Sequence, residues 1–329
     1  MGKTFLLFIP LFLFFVSCQT EIDITLPDYH DKLVVEGTIE TGKPAMVILS
    51  TSMPYFSEYD LGFSEEDIAL YIAMLLTNPD TLPILLADKY ITNAKVTVTS
   101  SKGESEVLKF GFTLDAPLFF AYIGENLIGE ENTEYTLHID WDNKEYSAKT
   151  TIPHTFSPDS IWFHGINDTI ATLRMLLNDN VATNDNYQFK VKLESEKVTD
   201  RLWAYTMPIV FDDKTFNGLE FNYELLRAIP STLFAGSLSD EDRSEYYRHY
   251  YKLGDKVTIS AGLIDHTSYR FWSTAMAEIA FGQNPFMSPA PIEGNITCST
   301  GEKVLGAWCG YATSVRVMEF TQAPSKPTP

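Results

Sequence analysis

Tyr135-Thr-Leu-His-Ile-Asp-Trp141, followed by Asp142-Asn143 and then Tyr146-Ser-Ala-Lys-Thr-Thr-Ile152, alternates apolar and polar side chains with a period of two on both sides of a turn. A period of two belongs to a half-buried strand, and an Asp-Asn pair between two such runs closes a tight hairpin. The same pattern spreads outward. Upstream, Val96 and Val98 alternate with Thr97 and Thr99, and the apolar runs Leu33-Val-Val35 and Ala45-Met-Val-Ile-Leu49 read as a pair of buried strands separated by Gly37. With five or more strands and short turns in about 120 residues, residues 32–153 are expected to form a Greek-key β-sandwich of immunoglobulin-like or transthyretin-like type. One excursion interrupts it over residues 57–90, where Ser64-Glu-Glu-Asp67 places a capping box before the helical run Ile68 to Leu76, ended by Thr77-Asn-Pro79.

Pro153 to Pro158 reads as a seam, and residues 154–322 as a second β-rich domain. Its strongest strands are Ile161-Trp-Phe163, Leu173 to Leu177, Val257 to Leu263, and Tyr187, Phe189, Val191 and Leu193 against Gln188, Lys190, Lys192 and Glu194. Asn178-Asp-Asn180 and Asn184-Asp-Asn186 offer calcium-type ligands, but the twelve-residue loop with its Gly and terminal Glu is missing, which favours turn chemistry. The tyrosines between Tyr246 and Tyr251 read as packing rather than as a recognition surface. Asp265 caps a helix over about 266–280 whose Tyr269, Trp272, Met276 and Ile279 form a stripe facing the sheet. Val315, Val317 and Phe320 supply a last strand, and 323–329 a loose tail. The fold class is therefore mainly β, two sandwich-like domains with a few short helices.

At the start, Lys3, the apolar run Phe5 to Val16, and Phe15-Val-Ser-Cys18 spell a secretory leader with a lipobox-like site. At 1.5 Å per residue the run reaches only about 18 Å as a helix, short of a hydrocarbon core of about 30 Å. Residues 1–17 are expected to be removed, Cys18 to carry lipid, and 18–31 to tether the body to the membrane. An ordinary leader with an incidental cysteine is the alternative, but Cys18 falls at the cleavage point and the chain turns polar at once. The formal charge of −20 disfavours nucleic acid and anionic headgroups. Besides Cys18 the chain has Cys298 and Cys309, on two short strands around a Gly301 turn. In an oxidising compartment they invite one disulfide, with two free buried thiols as the alternative.

Several motifs, taken in order, resemble the DUF4249 family of Bacteroidota lipoproteins. They are the lipobox, Leu33-Val-Val-Glu-Gly37, Met53-Pro-Tyr-Phe56, Asn93-Ala-Lys-Val-Thr-Val98, Asp159-Ser-Ile-Trp162, Asn284-Pro-Phe286 and Gly294-Asn-Ile296. The Cys298–Cys309 pair departs from the family's glycine-rich text. The resemblance hands over no catalytic residues. It implies an outer-membrane lipoprotein, exposed at the cell surface or facing the periplasm, encoded beside TonB-dependent receptors and accessory to uptake. It also makes Glu21 and Asp23 candidates for a surface-export signal, against a generic acidic tether.

The six histidines are scattered, and there is no zinc motif, nucleophile elbow, P-loop or dinucleotide fingerprint. No cofactor, metal or catalytic residue is assigned. The leading expectation is a lipid-anchored binding or accessory subunit. A structural or adhesive surface protein, and a hydrolase using paired carboxylates, are the alternatives.

Overall fold

The alternating stretches form strands where their period places them. The computed structural model describes residues 32–52, 90–113, 120–196, 203–227, 249–281 and 291–321. The leader, Cys18, Glu21, Asp23, most of the 57–90 excursion, most of the tyrosine run and the tail lie outside the described residues.

The first half contains β1 (Leu33–Glu40), β2 (Pro44–Thr51), β3 (Lys95–Ser100), β4 (Ser105–Val107), β5 (Lys109–Phe112), β6 (Phe120–Ile128), β7 (Thr133–Trp141) and β8 (Lys144–Ile152). After the seam come β9 (Ser160–Gly165), β10 (Ile170–Asn178), β11 (Asn186–Glu194), β12 (Ala204–Tyr205), β13 (Phe211–Asp212), β14 (Glu220–Glu224), β15 (Tyr251–Lys252) and β16 (Lys256–Ile264). Helix α1 (His266–Phe281), β17 (Thr297–Cys298) and β18 (Leu305–Glu319) follow. The protein is mainly β, and α1 is the single helix among the described residues. The β7–β8 hairpin closes at Trp141↔Lys144, with Asp142 and Asn143 at φ of 50° and 57°. Those left-handed values match the twist of the flanking strands.

Three sheets result. A nine-stranded sheet runs β12-β11-β16-β18-β1-β2-β6-β5, with β13 also on β11. A five-stranded sheet, β17-β8-β7-β3-β4, covers one end of its inner face, and a four-stranded sheet of β14, β10, β15 and β9 covers the other. Each pair encloses its own core. The first joins Val35, Ile39 and Val47 to Val96, Leu137 and Tyr146 around Trp308. The second joins Phe189, Val191 and Ile259 to Leu173, Met175 and Phe163. The stretch around residue 153 thus lies between two sandwich cores, while one sheet is continuous through both.

β18 makes it so. It runs parallel to β1 (Thr38↔Cys309) and antiparallel to β16 (Ser260↔Val315), and its early residues Trp308 and Ala312 fill the first core while Met318 packs on the second. Trp308 is fully buried and donates its indole N–H to Tyr135 O at 3.0 Å. Gly37 lies beside it because a Cβ there would come within 2.6 Å of the indole. Beyond Tyr311, where pairing with β1 ends, the strand turns Val315 and Val317, 47% and 59% exposed, to the outer face.

The Cys298–Cys309 disulfide is corrected: both thiols are free. The turn at Gly301 forms, with its N–H on Cys298 O at 3.0 Å, but the flanking strands do not pair with each other. β17 joins β8 (Cys298↔Tyr146), and Cys298 packs on the edge of the first core. β18 joins the nine-stranded sheet and turns Cys309 to its opposite, outer face beside Ala307, Ile264 and Tyr311.

Candidate functional site

The outer face of the nine-stranded sheet mixes an apolar cluster with charged and amide side chains. On β11 the period of two sends Tyr187, Phe189, Val191 and Leu193 inward, and Gln188, Lys190 and Lys192 outward. Tyr205 of β12 lies directly beside Lys190 in register, and on β1 Glu36 and Glu40 stand beside Ala307 and Tyr311 of β18. Helix α1 roofs part of this face. Asp265 starts it, accepting from Ser268 N at 2.8 Å through Oδ1. Its Oδ2 accepts from Thr150 Oγ1 at 3.0 Å and Thr151 N at 3.2 Å, which ties the helix start to β8. The stripe of Tyr269, Trp272 and Met276 then packs on Ile264, Cys309 and Tyr311. The side chain of Ile279 lies outside the described residues.

Between roof and edge, aromatic rings gather around two lysines. Trp272 donates Nε1–H to Tyr311 Oη at 3.0 Å and stands 5.0 Å from the Tyr205 ring. Lys190 Nζ sits 5.1 Å above the Tyr311 ring and 5.9 Å from that of Trp203, and Lys192 Nζ lies 5.0 Å from Trp203. Burial lowers the Lys190 pKa, with Glu40 pulling the other way. Glu40 is itself engaged, by Lys43 at 2.9 Å and by the Thr313 hydroxyl. Burial pushes its carboxyl up, but Lys190, Lys43 and these hydrogen bonds together hold it below the ordinary value. Glu36 is exposed in surface terms, yet desolvation raises its pKa. Burial also pushes Tyr205 and Tyr311 up, and the Cys309 thiol to about 12.

Two groups here are incomplete. Lys190 makes no ion pair with any described carboxylate, and two ring faces contribute about 0.5–2 kcal/mol against a desolvation penalty of several kcal/mol for a buried ammonium. Gln188, next along the same face, is 2% exposed, and neither its Nε2 nor its Oε1 has a hydrogen-bond partner. Leaving buried amide atoms unsatisfied costs about 1–3 kcal/mol each. The arrangement gathers charge, amide and ring faces on one side of the sheet.

The residues picked out in the sequence fall elsewhere. Cys298 and Cys309 are apart, and Cys18, Glu21 and Asp23 are outside the described residues. The Asn-Asp-Asn loops do turn chemistry. Asn180 Oδ1 accepts from Ala182 N at 3.1 Å, Asp179 takes Tyr187 Oη at 2.5 Å and Gly218 N at 2.7 Å, and Asp213 takes Asp185 N at 2.6 Å. Among the described residues no cluster of three or more His, Cys, Asp or Glu could hold a metal ion. Tyr251 packs in the second core while Tyr250 stays exposed. Glu36 and Glu40, two acids on a largely apolar strand, were the one signal in the sequence pointing to this face.

The fold is mainly β, with two sandwich cores sharing one sheet. The family model described as a domain of unknown function (DUF4249) matches residues 19–316, and the chain belongs to that family. No curated protein matches the sequence. Among the described residues no helix is long and apolar enough to cross a membrane.

Proposed function

We propose that this protein is a lipid-anchored binding or accessory subunit of the outer membrane, working with a TonB-dependent receptor in nutrient uptake. The observation that supports a binding role is the cluster of lysines and aromatic rings on the outer face, where Lys190 lies over Tyr311 and Trp203 without an ion pair to any described carboxylate. The anchor rests on the leader and Cys18, and the receptor partnership on what the family resemblance implies. Lipid on Cys18 and a tether over 18–31 place β1 a short distance from the membrane surface, so that the body can meet a neighbouring barrel.

Two measurements test the proposal. Cys18→Ala should abolish lipid labelling and release the protein from membranes, and retention of both would refute the anchor. Affinity purification of the intact lipoprotein from detergent-solubilised membranes should bring a barrel receptor with it. Recovery of the chain alone, together with normal growth of the deletion strain on every nutrient tried, would refute the accessory role.

A further inference from the structure

We infer that the second half of β18, from Thr313 to Glu319, takes up an extended, positively charged segment of another protein as an added strand. The inference deepens the accessory role proposed above and rests on it only in that the chain engages a partner protein.

The backbone sets the mode of binding. β18 keeps β1 beside it only as far as Glu40↔Tyr311, whereas its other side stays on β16 down to Lys256↔Glu319. Successive residues of a strand turn their backbone groups to opposite sides, so the two ends of this stretch fix the direction of every residue between them. Tyr311 O accepts from Thr41 N at 2.9 Å on the β1 side, and Phe320 O accepts from Gly254 N at 2.8 Å on the β16 side. Thr313, Val315, Val317 and Glu319 therefore point their N–H and C=O groups away from β16, and among the described residues no backbone group pairs with them. At about 3.4 Å per residue this open edge runs for about 24 Å, room for a strand of ordinary length.

Side chains and charge set the occupant. Sheets commonly blunt their edges with short strands, proline or lysine. Here β12, β13 and β17 have two residues each and β4 three. The open half of β18 has none of these devices: its register is unbroken, and Val315 and Val317 stand exposed on one face. An apolar residue of an incoming strand packs beside each valine. A second copy of the chain fits badly. A two-fold pairing of Thr313–Glu319 with itself sets Arg316 opposite its own copy, and two bodies of formal charge −20 repel each other. The same charge draws in a segment that carries lysine or arginine.

The first measurement is residue-resolved amide exchange in the full chain in detergent. The amides of Val315, Val317 and Glu319 should exchange faster than those of Ser314 and Met318 by about tenfold or more. Equal protection would mean that the edge is already covered, and overturns the inference. The probe is a capped heptapeptide alternating valine with lysine, compared with the same peptide N-methylated on its valines and with a version carrying glutamate for lysine. The parent peptide should bind saturably and protect the three amides, and each control should bind more weakly by about tenfold or more. Val317→Pro deletes one N–H of the open edge without touching the β16 ladder, and should lose the peptide. Val315→Lys leaves the backbone intact and should weaken it several-fold, both variants melting as cooperatively as the parent. Failure of the parent peptide to bind, or equal binding of either control, overturns the inference, and so does a dimer in sedimentation that Val317→Pro dissolves. A barrel receptor that still co-purifies with both variants overturns this surface and leaves the accessory role standing, whereas its loss from both supports the added strand.

Discussion

Cys298 and Cys309 share a short loop of sequence but not an environment. Cys309 is buried under α1 and its thiol is pushed up to about 12 by that burial. Cys298 is half-buried; desolvation pushes its thiol up, but the hydroxyl and N–H of Thr300 hold it below the ordinary value. A maleimide at neutral pH should therefore label Cys298 in the native protein and reach Cys309 only after denaturant is added. Adding a reductant should leave the melting temperature unchanged. A bridge closing this loop would contribute about 3 kcal/mol, so a clear drop on reduction would contradict the free thiols. Glu36 gives a second residue-scale prediction. Its folded-state pKa is raised by desolvation above the ordinary 4.5, so its contribution to stability is fully present below that value and is lost as pH rises through the folded pKa. Glu36→Gln should match the parent near pH 3.5 and melt higher than the parent at pH 7. A difference that does not grow with pH would mean that the carboxyl is not desolvated.

Helix α1 depends on one side chain at its start. Asp265 caps Ser268 N and also holds Thr150 and Thr151 of β8, so it fixes both where the helix begins and where its stripe lands. Asp265→Ala should cost about 1–2 kcal/mol in chemical denaturation, and Asp265→Ser, which keeps the cap but is too short for β8, should fall between. Equal losses for Ala and Ser would place the whole effect in the β8 tether. The cap and the helical stripe were legible in the sequence because both are local. So were the β7–β8 hairpin and the strands of β11 and β16, whose periods are uninterrupted. Pairing was not legible. Nothing in Leu305 to Glu319 announces a parallel partner some 270 residues earlier. The cluster around Lys190 was hidden for the same reason. Gln188 and Lys190 look like the solvated half of an amphipathic strand until α1 and Tyr205 are brought over them.

Taken whole, the body has two cores and one sheet through both, which predicts how it comes apart. Peptides from β1 and β11 should lose hydrogen-exchange protection at the same denaturant concentration, although they serve different cores. Phe189→Ala, in the second core, should lower both midpoints together by an amount equivalent to about 3–5 kcal/mol. Two separated transitions would mean that β18 does not couple the halves.

The order of the strands also bears on how the sheet assembles. The central place beside β1 is filled by β18, some 270 residues further along the chain. Until that strand docks, β1 offers an unpaired, adhesive edge and Trp308 is missing from the middle of the first core. Closing the first core thus waits on a contact between distant parts of the chain, and pairing of that kind is slow.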